Sequence, residues 1–467
     1  MLPSAAMALE KYIDDHFDGF LETLTGLSRI PSVSADPEKK ADVRRSAEAV
    51  RQAMVTHGLE NCEVIDLPGA HPYAYGEWLH APGKPTLLLY AHHDVQPPGR
   101  SAYWKSPPFE PTMRADGRLY GRGVVDDKAG VVTHLAAIKA HLDTQGKLPC
   151  NVKLIVEGEE EIGSEHLGEF LQQHKEKLRA DIIVLTDTGN IEAGIPSLTY
   201  RLRGIAAIEL EVSALDHPLH SGMWGGPVPD PVQAMAKILA TLSDDEGTVA
   251  IPGIHDEVRK PSKTELAALA ALPYDEAKFR SDAGILDGVK LVGPKDQGVY
   301  EKQWLRPTVT VIALEASPLA GSSNQIVPSA RARISVRLVP DMDPDRTARL
   351  VKEHVERVAP WGVVVKARIE GANPGWVCVP EGPAFEAAKR ALARGYDHEV
   401  ALIGAGGSIP FVGPFAEAFG GAPALLVGLE DPICNAHSEN ESLNVVDWRK
   451  AIKGTAYLYE ELAKSGK

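Results

Sequence analysis

Apolar side chains recur at helical spacing over residues 5–28 (Leu9, Tyr12, Ile13, Phe17, Phe20, Leu21, Leu24), and Pro31 ends the pattern, which predicts an amphipathic opening helix. A second helical stretch is expected near 41–57. Short strand-like runs follow at 62–67 and 86–91, then a helix at 128–143, a strand at 152–157, a helix near 164–176 and a strand at 182–186. Strands alternating with helices predict an α/β unit with a mostly parallel sheet and helices on both faces. From about 206 the pattern changes. AIELEVSA, residues 206–213, alternates apolar and acidic positions, as a strand with one wet face should, and so do parts of TVTVIALE, ARISVRLVP and GVVVKARIE. With helices at 231–242 and 344–357, these strands predict a small α+β unit of split βαβ type, decorated by a helical insertion near 255–300. After about 380 the α/β texture returns with the helix PAFEAAKRALARG and the buried strand PALLVGL. The expected architecture is a discontinuous α/β domain, 1–205 and 381–467, interrupted by a second domain at 206–380.

A chain of 467 residues is long enough for two or three ordinary cores. Its 49 basic and 64 acidic residues give a net charge of -15, which argues against nucleic acid or an anionic membrane as partner. The N-terminus lacks the basic-then-apolar order of a secretion signal, and no apolar run approaches the roughly 20 residues needed to span a bilayer. Cys62, Cys150, Cys378 and Cys434 are far apart and form no CxxC pair. That sets aside a disulfide framework or a thiolate zinc site and fits a reducing cytoplasm.

Polar residues concentrate where the buried strands end. The run at 86–91 leads into His92, His93 and Asp94, the run at 152–156 into EGEEEIGS, and the run at 182–186 into Asp187. PALLVGL is followed, after a loop, by NAHSENES with His437, and LYGRGVVDDKAG places Asp126 and Asp127 just before a helix. In open α/β sheets ligands bind beyond the carboxyl ends of the strands, so these loops should share one edge. Taken singly, each has a bland reading: DDK can be a helix cap and EEE a solvated helix start. Together they would bury many carboxylates at one place, which requires compensating positive charge. Two divalent cations would supply it, and a mixed carboxylate and imidazole set suits zinc, manganese or cobalt better than calcium.

The segments HHDVQPPG, LYGRGVVDDKAG, EGEEEIGS, LDHPLHSGMWGG, NQIVP, SVRLVP, GAGGSIP and NAHSENES occur in the order found in the di-metal peptidases of the M20 family. Over nearly its whole length the chain resembles their cytosolic non-specific dipeptidases and carnosinases. The resemblance implies a zinc-peptidase-like catalytic domain carrying an inserted ferredoxin-like lid and dimerisation domain. It makes Asp126 the carboxylate bridging two metals, with His92 and Asp187 completing one site and Glu161 and His437 the other. Glu160 would be the general base that takes a proton from a metal-activated water and returns it to the leaving amine. Asp94 would orient the His92 imidazole, and the Asp126–Asp127 peptide would be cis; His93 matches no required position. His220 would stabilise the oxyanion in the active site of a partner protomer, which implies a homodimer. Arg337 would bind a substrate carboxylate, and Asn324 and Ser408 match further substrate-contacting positions.

Within that family, Asp at position 187 accompanies dipeptidases and aminopeptidases, whereas Glu accompanies carboxypeptidases and deacylases. The expected activity is therefore hydrolysis of dipeptides. The alternative is cleavage of an N-acyl or N-carbamoyl amino acid at the same centre. A non-catalytic scaffold would be expected to lack ligands or base, and none is missing. A dinucleotide-dependent oxidoreductase is set aside because GRGVVD lacks the third glycine of the fingerprint.

Overall fold

In the computed structural model, which describes residues 5–407, 409 and 411–464, strand Thr86–His92 runs through the middle of a nine-stranded mixed sheet. It lies parallel to Asn151–Glu157 on one side and Ile182–Gly189 on the other, and Ala424–Glu430 adds a further parallel neighbour to Ile182–Gly189. Both faces of the central strand are covered, which is why it reads as an unbroken apolar run. Leu87, Leu89 and Ala91 pack in the cluster that holds helices Ala5–Ser28, Lys128–Gln145, Pro383–Tyr396 and Val445–Leu462. Leu88 and Tyr90 face the other way, against Phe170 of Leu167–Leu178 and Phe411 and Phe415 by Val412–Ala418.

The sheet is parallel at its centre and antiparallel towards both edges. Strand Tyr73–Trp78, absent from the expectation, pairs antiparallel with both Glu60–Ile65 and Asn151–Glu157. Its sequence, YAYGEW, carries no clean alternation. The strand is admitted because Gly76 leaves room for neighbours: a Cβ there would lie 3.0 Å from Cys62 Sγ and 3.2 Å from Met54 Sδ. Strand Ser197–Leu202 was likewise not expected. It pairs antiparallel with Ala424–Glu430 and parallel with Ala401–Ala405.

The four alternating segments form a separate antiparallel sheet in the order Thr308–Glu315, Ser329–Leu338, Gly204–Ser213, Val364–Asn373. With helices Pro231–Ala240 and Pro344–Arg357, the chain order is the split βαβ arrangement expected. Ala206, Ile208, Leu210 and Val212 face these helices, while Glu209 on the other face pairs with Arg331 at 2.7 Å and Arg368 at 3.0 Å.

The insertion near 255–300 differs from expectation. Its helices Lys263–Ala270, Glu276–Asp282 and Val299–Trp304 do not simply decorate the small sheet, because Leu269, Trp304 and Leu305 cluster with Ile191 and Ile403 beside the large one. Trp304 lies over Gly404, where a Cβ would approach its ring to 2.8 Å. Trp304→Ala should remove this anchor and cost about 3–5 kcal/mol of stability, as measured by urea unfolding. A wild-type midpoint would show that the contact contributes little.

Candidate metal centre

The strand ends deliver their side chains to one cleft. His92 ends its strand fully buried, with Nε2 3.0 Å from Asp126 Oδ1 and 3.7 Å from Asp187 Oδ1. On the other side of Asp126, His437 Nε2 lies 2.9 Å from Oδ2 and 3.2 Å from Glu161 Oε2. Two groups result, His92–Asp126–Asp187 and Asp126–Glu161–His437, each with ligand atoms within 4.8 Å of one another. Asp126 belongs to both. The His437 side chain, 58% exposed, sits at the mouth.

The surrounding hydrogen bonds fix these groups. Asp94 Oδ2 accepts from Ser34 Oγ at 2.6 Å and from Glu161 N at 3.1 Å, its Oδ1 accepts from Glu160 N at 3.2 Å, and its backbone oxygen lies 3.1 Å from His92 Nδ1. The Asp94 carboxylate thus holds the 160–161 turn, while its backbone oxygen helps to orient the His92 imidazole. Gln96 donates to Glu161 through N at 3.0 Å and Nε2 at 2.7 Å. Glu441 accepts from the backbone N–H groups of Gly123, Val125 and Asp126 and from Arg122, so it clamps the loop that presents Asp126. The peptide between Asp126 and Asp127 is cis. Gln96 and Glu441 both lie inside segments singled out in the sequence, yet neither was picked, since accepting or donating to a distant backbone leaves no mark in a residue pattern.

Glu159, next to the two acids of interest, is turned away and meets His71 N at 2.8 Å and His166 Nδ1 at 3.0 Å. His93 is buried, faces the Pro72 carbonyl at 2.9 Å, and is pushed down to about 4 by that burial. Glu160 lines a cavity of about 670 Å³ together with Asp126, Asp187 and His437, and among the described residues its carboxylate has no hydrogen-bond partner. Phe279, Tyr300 and Trp304 of the insertion form part of the wall.

His220, Asn324 and Arg337 do not line this cavity. His220 pairs with Gln325 across a two-residue ladder, Ser221 N donates to the Asn324 carbonyl at 2.9 Å, and both His220 and Asn324 are exposed. Arg337 is half-buried opposite Thr308 and Ile205. Ser408 lies outside the described residues.

Electrostatics explain what this donor set requires. Burial, then the nearby Asp187, pushes Glu160 well above the usual carboxylate range, and burial with Asp126 raises Glu161 to about 7. Burial raises Asp187 as well. Asp126 is the opposite case, since burial opposes its charge but hydrogen bonds from His437 and His92 outweigh that and hold it well below. Burial disfavours the imidazolium forms, yet the facing acids raise His92 well above its ordinary value and His437 to about 11. These shifts are those of a donor set short of positive charge. The mixed carboxylate and imidazole donors fit divalent metal on both sides of Asp126.

The family model for Peptidase family M20/M25/M40 matches residues 88–463, and the chain belongs to that family. It is 36% identical over 362 residues to a cysteinylglycine-S-conjugate dipeptidase of Corynebacterium striatum, covering 77% of each chain. It is 30% identical over 478 residues to a Cys-Gly metallodipeptidase of Schizosaccharomyces pombe, covering 98% of this chain and 99% of the relative. The crystal structure of human carnosine dipeptidase 1 superimposes with a TM-score of 0.90 at 27% identity, with 99% of each chain covered.

Metal uptake should expel the protons held on His92, His437 and the raised carboxylates. Titration calorimetry of apo-protein in buffers of different ionisation enthalpy, near pH 7, should report net proton release. Identical heats in all buffers would contradict this electrostatic picture.

Proposed function

We propose that this chain hydrolyses the peptide bond of dipeptides, with His92, Asp126 and Asp187 holding one divalent cation and Asp126, Glu161 and His437 the other. When bound, the pair supplies a nucleophilic water at neutral pH and polarises the scissile carbonyl. Zinc is the assignment, with manganese or cobalt able to occupy the same donors. Glu160 takes the water proton and returns it to the leaving amine. The observation that carries this role is its unpartnered carboxylate, facing the cavity beside the shared ligand. Its raised affinity for a proton suits a group that must accept one and release it within a single turnover. Relatives named as Cys-Gly and Beta-Ala-His dipeptidases support the dipeptide class over N-acyl or N-carbamoyl amino acids.

The catalytic unit is assigned to 1–205 with 381–467, and the intervening 206–380 to a unit that pairs two copies. His220 and Asn324 stand exposed and away from the cavity, which supports their acting on the active site of a second protomer. Arg337 is the candidate for the substrate carboxylate, and Ser408 for a further contact. Cys62, Cys150, Cys378 and Cys434 are free thiols, in keeping with a cytoplasmic setting, and among the described residues no helix is long and apolar enough to cross a membrane.

Glu160→Gln should keep its metal, by elemental analysis, and lose at least about a hundredfold in turnover of dipeptides; an active variant would remove the proposed base. Exchange of His220→Ala with Glu160→Ala protomers should restore activity, because one site of each mixed dimer then has both groups, giving about a quarter of the wild-type sites. Mixtures without activity would confine His220 to its own chain.

A further inference from the structure

Among the acids lining the cavity that neither cation group uses is one that the sheet aims inward. Glu430 ends strand Ala424–Glu430 and lines the cavity with Asp126, Glu160, Asp187 and His437. Its direction is set by the sheet. Pairing with Ile182–Gly189 slips between Leu426 and Gly428 and again between Gly428 and Glu430, and such irregularities re-aim side chains beside active sites. Gly428 permits the close approach, since a Cβ there would lie 2.4 Å from Asn190 Oδ1 and 2.6 Å from the Gly189 carbonyl. The Glu430 carbonyl is then held by Asn190 N at 2.7 Å, which fixes the backbone from which the carboxylate projects.

Among the described residues, most other acids of the wall have partners, while Glu192 has only the longer-range attraction of Lys278. Asp431 is bound in a fork by Arg118 at 2.8 and 3.1 Å. Asp275 caps helix Glu276–Asp282, and Asp282 pairs with Lys278, whose ammonium also feels Glu192. Glu430 belongs to neither ligand group, and among the described residues no cation pairs with it. Among the described residues its carboxylate hydrogen-bonds just the Cys434 thiol, at 4.0 Å, a weak donor. Burial disfavours its ionised form. A carboxylate in that position is expensive unless a ligand brings positive charge to it.

Resting on the dipeptidase reading above, we infer that Glu430 receives the α-ammonium group of the substrate's amino-terminal residue. A dipeptide carries that ammonium one residue from the bond cleaved, within the same cavity. An N-acyl or N-carbamoyl amino acid carries none and would leave the acid uncompensated. Glu430 is thus the residue that selects free dipeptides, by a charge-assisted hydrogen bond that a blocked amine cannot make.

The test uses metal-loaded wild-type, Glu430→Gln and Glu160→Gln protein with two ligands, alanyl-alanine as substrate and propionyl-alanine, which differs by lacking the amine, as competitive inhibitor. In Glu430→Gln the KM for alanyl-alanine should rise at least about tenfold while kcat stays within a few-fold. The inhibition constant of propionyl-alanine should stay the same or fall, and metal content should be unchanged. Equal weakening of both ligands, an unaltered KM, or loss of metal from Glu430→Gln would overturn the assignment. Glu160→Gln separates the two levels. Its loss of turnover alongside a Glu430→Gln variant that fails to discriminate would sink this inference alone, whereas a fully active Glu160→Gln would sink the reaction on which it rests.

Discussion

Like charges forced together in a half-dry cleft repel, and the carboxyl edge of the large sheet gathers Asp126, Asp187, Glu160, Glu161 and Glu430 around one cavity and its rim. The surroundings are arranged to make that concentration tolerable. Two imidazoles interleave with the acids, so that Asp126 alone keeps a strongly stabilised charge. Asp94 and Gln96 take up the hydrogen-bonding capacity of the 160–161 turn, and Glu441 draws three backbone N–H groups into a clamp behind Asp126. What remains uncompensated faces inward, towards the cavity.

The route from sequence to this cleft was short where the chain is locally regular. A parallel strand covered on both faces must be an unbroken apolar run, so LLLYA followed by His92 declared both a strand and its functional end. Asp187 and the acids after Glu157 were legible on the same ground. Tyr73–Trp78 was not, because Gly76 and Glu77 interrupt any alternation and the strand depends on a close approach that only its neighbours reveal. Helices in the insertion could be expected, but not the surface they cover: Trp304 finds its seat at Gly404, far along the chain. Glu430, directly after PALLVGL, was not picked out at all. Its aim comes from slipped pairing with a strand hundreds of residues earlier, which no periodicity encodes.

Where the small unit leaves and rejoins the large one, its chain crosses itself backbone to backbone. A Cβ at Gly204 would lie 2.5 Å from the Asn373 carbonyl and 2.7 Å from Gly375 N, so the outgoing and returning strands of the small unit pass in direct contact. Just before this crossing, Arg203 donates to Thr308 at 3.1 Å and to the Gly406 carbonyl at 3.4 Å, linking the small sheet to the glycine-rich turn at the cavity. The insertion, seated on Ile191 and Ile403, belongs with the large sheet in packing although it branches from the small one. Side chains that shape the cavity are therefore contributed by segments that leave the large sheet and return to it.

The clamp made by Glu441 has a consequence for biosynthesis. His437 and Glu441 sit four positions apart, one facing Asp126 and Glu161 and the other bracing the loop that bears Asp126. While a ribosome is still translating, every earlier donor can already be displayed, but neither the second imidazole nor the brace exists. The loop at 122–126 can reach its final geometry only once this late segment has docked against it, so the cleft is the last part of the large-sheet unit to close.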